Sequence, residues 1–204
     1  MSELGLFPLG IVLFPQEQIP LHIFEDRYQE LIGECLDENR EFGLVFADED
    51  GLREIGTRAA VTEVLDRFDD GRLNVVVQGR ERFRLLELTG GRSFQTGLVE
   101  SVEEAPDPAD PADLERALEL FRKLVELTGS DVEEPEAGSD ELSFQLAGRF
   151  DFAPELKQKL LQLTSERERV KQLADLLEGA AATVAQEQEI AGRAATNGKV
   201  DPRG

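Results

Sequence analysis

VTEVLDRFDDGRLNVVVQGRERFRLLEL, residues 61–88, sets two apolar runs on either side of an Asp70-Gly71 pair. Positive φ costs glycine nothing and aspartate little, so the pair has the residue types of a tight hairpin turn. Val61 to Phe68 reads as the incoming strand. Beyond the turn Leu73, Val75 and Val77 face one way, Gly79 marks a bulge or a close approach, and Arg82 to Leu88 continues as strand. The Arg-rich GRERFR, residues 79–84, contains Glu81 and is surrounded by acids. It reads as a strand surface with charges paired across the ladder, not as an anion site.

Upstream, Leu9 to Phe14 and Ile19 to Phe24 are short apolar runs bracketed by Pro8, Pro15 and Pro20, the pattern of partly edge-type strands. Tyr28, Leu31, Ile32, Cys35 and Leu36 fall at i, i+3, i+4, i+7 and i+8, the stripe of an amphipathic helix. Phe42, Leu44 and Phe46 alternate as a strand before an Asp48-Glu49-Asp50-Gly51 turn, and Leu52 to Ile55 is a further strand. Downstream, Phe94 to Val102 reads as the last strand. Six or more short strands with one inserted helix predict a β-rich, partly closed barrel over residues 1–102.

EEAPDPADP then breaks the pattern, and residues 103–112 read as a Pro- and acid-rich linker or exposed loop. Asp110 suits an N-cap, Pro111 the first helical position and Gly129 the stop of a helix carrying Leu114, Leu118, Phe121 and Val125. Asp131 to Gly138 reads as loop. Ser139 is placed to cap a helix with Leu142, Leu146 and Phe150, and Pro154 to open another through Leu163. Ser165 and Glu168 stand at capping-box spacing, ahead of Val170, Leu173 and Leu177 and a stop at Gly179. A helical subdomain is therefore expected over residues 113–179, and a frayed or disordered polar tail over 180–204. The fold class is α+β, a β-rich subdomain followed by a small helical bundle.

Forty-three acids against 22 bases give a net charge of −21, which opposes binding to a phosphate backbone. The acidity is spread along the chain, with 20 acids and 10 bases in residues 1–102. One cysteine, Cys35, excludes an internal disulfide and a Cys-based zinc site. The start, MSELGLFPLG, lacks the basic and apolar regions of a secretory signal, and no apolar run approaches membrane-spanning length. The expectation is a soluble cytoplasmic protein with neither nucleic acid nor membrane as partner.

Catalytic groups are sparse. Gly192 to Lys199 is a poor phosphate loop, because Val200 stands where a hydroxyl is needed and no strand precedes it. His22 is the single histidine, so Cys35 and His22 form the one conceivable thiol dyad. His22 lies in a strand-like run and Cys35 on a buried helical stripe among acids, which fits structural roles better. Asp48 to Asp50 and Asp107 to Asp113 are dense in carboxylates but lack calcium-loop spacing and read as solvated. No catalytic, cofactor or metal site is expected.

Three stretches resemble the N-terminal domain of Lon proteases. FPLGIVLFPQEQIPLHIFEDRYQELIGECL, residues 7–36, has that family's order of strand, proline turn, Pro-Leu-x-Ile-Phe strand and acidic helix start. EFGLVFADEDGLREIGTRAAVTEVLDRFDDGRLNVVVQGRERFRLLEL, residues 41–88, shares the Glu-Ile-Gly-Thr, the Asp-Gly hairpin and the strand after it. KQKLLQLTSERERVKQLADLL, residues 157–177, is similar to the helical half. The resemblance implies a PUA-like pseudo-barrel followed by helices, and a stand-alone domain without the ATPase and protease parts. None of the seven serines has the glycine-flanked setting of the family's Ser-Lys site.

A non-catalytic module that binds unfolded or partner proteins, such as clients or proteolysis and chaperone components, follows as the expected function. Exposed apolar surface or a free strand edge would serve. Phe24, Glu25, Arg27 and Tyr28, where strand passes into helix, are the candidate contacts, set against local capping and packing. A small-molecule-sensing domain with a pocket between sheet and helices is the rival, and a ligand-dependent rise in melting temperature would favour it. A hydrolase using an unrecognised carboxylate site is a further rival, separable by peptidase and ATPase assays.

Overall fold

The computed structural model describes residues 1–135 and 141–197. In chain order the elements are β1 (Ser2–Leu9), β2 (Gln18–Ile23), α1 (Asp26–Glu38), β3 (Phe42–Asp48), β4 (Gly51–Leu52), β5 (Ile55–Arg67), β6 (Leu73–Thr89) and β7 (Thr96–Ser101). The helices α2 (Pro111–Thr128), α3 (Leu142–Ala147), α4 (Pro154–Gln162) and α5 (Glu166–Asn197) follow. This is the expected α+β arrangement of pseudo-barrel and helices.

The ring closes through β1. Its first half, Ser2 to Gly5, runs antiparallel to β7, and its second, Leu6 to Leu9, runs parallel to Gly43–Phe46 of β3. Five strands thus join in the cycle β1-β7-β6-β5-β3, while β2 hangs on the first half of β6 and β4 on the end of β3. Helix α1 drops Tyr28, Leu31, Ile32 and Cys35 onto the barrel core with Phe7, Ile23, Phe42 and Val75. A second core gathers Phe121, Leu142, Phe144, Leu161, Leu173 and Leu177 from the helices with Val12, Phe14, Phe46 and Ile55 from the β-rich half.

Several strands differ from the expectation. Leu9 to Phe14 is not a strand: β1 occupies residues 2–9, and the chain from residue 10 to 17 turns between the two cores. Val12 and Phe14 enter the helical core and Leu13 the barrel core, so the apolar run reflects burial on two sides. Its backbone is satisfied by side chains instead of a ladder, with Thr57 Oγ1 donating to Leu13 O (2.6 Å) and Phe14 N to Glu17 Oε2 (2.7 Å). Leu52 to Ile55 is split between the end of β4 and the start of β5. At Gly79 the ladder slips, and a Cβ there would stand 2.0 Å from Phe14 O, so bulge and close approach coincide.

GRERFR is only partly an exposed ladder surface. Arg84 pairs with Glu54 (3.3 Å) across the strands, but Arg82 is 3% exposed. Its guanidinium donates to Leu161 O (2.5 Å), Leu163 O (2.7 Å) and the Glu104 carboxylate, tying β6 to the α4–α5 corner. Arg169, fully buried on α5, reaches the same Glu104 (2.8 Å) and Glu166 (2.8 Å). Both guanidiniums lie over the Phe144 ring, at 5.3 and 4.4 Å, and that ring stacks on Phe14. The outer face of β6 is covered here by residues about eighty positions later, which strand alternation does not reveal.

Helix signals read well. Asp110 accepts from Ala112 N (3.0 Å), Pro111 opens α2, Gly129 closes it at positive φ, and Ser165 Oγ accepts from Glu168 N (3.2 Å). Ser139, named as a cap, lies outside the described residues, as do 136–138 of the acidic loop. Residues 103–110 are anchored: Ala105 N donates to Thr164 O (2.9 Å), and Asp107 takes Ser165 Oγ (2.7 Å) and Arg167 Nε (2.8 Å). Helix α5 does not stop at Gly179 but continues to Asn197. Ala181 and Val184 extend its stripe onto the helical core, and Gln188 Nε2 donates to Leu127 O (2.6 Å). Small residues can carry such a stripe where large apolar ones are absent. Gly198 to Val200 of the phosphate-loop comparison, and the rest of the tail, lie outside the described residues. Among the described residues no helix is long and apolar enough to cross a membrane.

Candidate protein-binding surface

Strand β2, the start of α1 and the tip of the β5–β6 hairpin meet at one end of the barrel. Asp70 and Gly71 (φ +89°) turn the hairpin, and Gln29 of α1 packs against Gly71 while donating to Phe24 O (3.0 Å). This contact fixes the hairpin tip beside the β2–α1 corner. Phe24 is 61% exposed and Phe68 40%. His22 lies between them, its ring 6.0 Å from Phe24 and 6.3 Å from Phe68. Of twelve phenylalanines these two are the exposed ones, and they flank the single histidine.

The histidine is oriented by a relay across three strands. Asn74 Nδ2 donates to Asp66 Oδ2 (2.9 Å), which leaves Asn74 Oδ1 to face His22 Nδ1 at 2.6 Å. An amide oxygen only accepts, so Nδ1 carries the proton and Nε2 of the neutral ring is an acceptor. Arg72 lies over Phe68 at 5.0 Å and pairs with Asp70 at 2.7 Å. The Arg72 backbone amide foremost, and its guanidinium, hold the Asp70 carboxyl below the usual carboxylate range.

The four sequence candidates separate. Phe24 is at the surface. Glu25 occupies the N-cap of α1 without a side-chain capping bond and pairs instead with Arg27 (2.7 Å), whose guanidinium covers the Tyr28 ring at 4.6 Å. Tyr28 itself is 5% exposed and stacks on Phe7 at 4.0 Å; burial raises its phenol above the ordinary value. Sequence reading did not single out Phe68 as surface-exposed and gave His22 a structural place. The available signal was an aromatic residue immediately before an acidic Gly turn, where the hairpin end is solvent-facing.

The outer edge of β2 is less suited to strand addition. The bond from Gly79 N to Glu17 O (2.9 Å) sets the ladder parity, so that Gln18, Pro20 and His22 turn their backbone groups outward. Pro20 has no N–H to offer in the middle of that edge. Beside it, an open groove of about 360 Å³ runs between Ile19 and Pro20 and the Phe150 to Phe152 segment. Glu17 and Lys157 in its lining are paired with each other at 2.7 Å, and Gln18, Arg149 and Asp151 line it as well.

No thiol dyad is assembled: Cys35 is buried in the barrel core, its thiol pushed up to about 11 foremost by burial, and His22 Nδ1 is engaged by Asn74. Among the described residues no group of three or more His, Cys, Asp or Glu could hold a metal ion.

Comparison with known proteins adds the family. A Lon protease of Paraburkholderia phytofirmans is 28% identical over 99% of this chain and 27% of its own length, so the chain spans about a quarter of that relative. A Lon N-terminal domain protein from Xanthomonas campestris superposes with a TM-score of 0.66 at 24% identity, covering 85% of this chain and 97% of that one. The N-terminal domain of Mycobacterium avium complex Lon protease gives 0.68 at 19% identity, covering 87% and 98%. At these identities the two structures speak for the fold. The family model that matches describes the substrate-binding domain, which is non-catalytic, and not the protease domain. Since it matches residues 3–179, the chain belongs to the ATP-dependent protease La (LON) substrate-binding domain family.

Proposed function

We propose that this chain is a protein-binding module that takes apolar segments of unfolded or partner proteins on the surface formed by His22, Phe24 and Phe68. The supporting observation is the exposure of two aromatic rings at one rigidly held corner, where burial would otherwise be expected. Phe24 and Phe68 supply apolar contact area, Glu25 and Arg27 form part of the rim, and Tyr28 supports the corner from beneath through Phe7. The family's description as substrate-binding agrees with this reading. The proposed division is a binding β-rich part, 1–102, a segment 103–112 and a helical part from 113 to 179. The proposed compartment is the cytoplasm, in keeping with a single free cysteine.

A permanently unfolded probe, a reduced and carboxymethylated model protein, tests the reading by fluorescence anisotropy. The double variant Phe24→Ser/Phe68→Ser should lose at least about tenfold in affinity, equivalent to roughly 1.4 kcal/mol, with its melting temperature unchanged. Equal binding by the variant and the parent would remove this surface as the site.

A further inference from the structure

We propose that the segment bound at the His22, Phe24 and Phe68 surface carries Lys or Arg beside its apolar side chains; this rests on the reading that the surface binds polypeptide at all. Charge complementarity carries the argument. Asp66, Asp69 and Asp26 border the surface and are exposed. Asp69 and Asp26 have no ion pair among the described residues, and Asp66 accepts only from the neutral Asn74 amide. The bordering cations are already used: Arg27 by Glu25 and Arg72 by Asp70. Arg67 stands opposite Leu73, on the face of the sheet away from His22. The rim is therefore acidic, within a chain of net charge −21.

The groups at the centre suit the same occupant. In the neutral ring, with Nδ1–H held by Asn74, His22 Nε2 accepts an N–H. The exposed face of Phe24 accepts a cation as Phe68 already accepts Arg72 at 5.0 Å. A second copy of the chain would bring one acidic rim against another and is disfavoured.

Three peptides of equal length test this, sharing one Phe/Leu core and flanked by Lys, by Gln or by Glu. By anisotropy at low salt, the Lys-flanked peptide should bind at least about tenfold more tightly than the Glu-flanked one, with the two converging at high salt as screening shortens. Asp69→Lys should narrow that preference about threefold and leave the Gln-flanked peptide unaffected. Equal affinities that all vanish in Phe24→Ser/Phe68→Ser would overturn the charge preference and leave the protein-binding reading standing. Failure of every peptide to bind, or binding that survives the double variant, would overturn both. Dimerisation abolished by the same variant would make a second copy the occupant and overturn the basic-segment proposal.

Discussion

Arg82 joins the two halves of the molecule through one side chain. Burial lowers the proton affinity of its guanidinium while Glu104 opposes the shift, and an arginine keeps its charge regardless. Removing it strands the Leu161 carbonyl and leaves Arg169 alone over Phe144. Arg82→Met is expected to cost about 3 kcal/mol in urea unfolding, and Arg82→Lys nearly as much, because an ammonium cannot reproduce the fork onto three oxygens. A loss under about 1 kcal/mol would show that the contacts at the α4–α5 corner are replaceable. At this scale the sequence was least legible. The Arg82 side chain sits on the outward side of a strand, and only the docking of Leu161 and Leu163 makes that side interior. His22 and Phe68 were obscured for the opposite reason: they look like core residues and lie where the barrel ends.

Whole elements were easier to read, because their signals are local. The stripe of α1, the Asp110 and Pro111 start of α2 and the Ser165 cap of α5 are set by chemistry within four residues, and each appears where its spacing put it. The exceptions lie where an element answers to something distant. The run from Val12 to Phe14 is apolar because two cores flank it, and α5 passes Gly179 because Ala181 and Val184 continue to pack. Strand β6 depends on the same kind of distant contact at Gly79. Gly79→Ala would drive a methyl into the Phe14 backbone carbonyl, which no rotamer can relieve. It should destabilise by about 3 kcal/mol or more, or prevent soluble expression. Gly33→Ala, with open space around its Cβ position on α1, serves as the control and should be neutral or stabilising.

At the scale of the molecule, the Arg82, Glu104 and Arg169 junction and the stacked Phe14 and Phe144 predict that barrel and helices unfold together. The chain contains its own probe, since Tyr28 is the single tyrosine, no tryptophan is present, and the ring is seated in the barrel core. Tyrosine fluorescence reports the barrel, and far-UV circular dichroism is dominated by the helices. The two denaturation curves should superimpose, and separate midpoints would show that the junction does not couple the halves. The double duty of β1 has a further consequence, for biosynthesis. Its first residues pair with Thr96 to Val99, so the ring has no complete set of strands until β7 has left the ribosome. Until then Leu4, Leu6 and Phe7 have an unfinished wall to lie against, and pairing across so long a stretch of chain is slow. A module whose surface is proposed to hold unfolded segments thus passes through its own nascent interval as one.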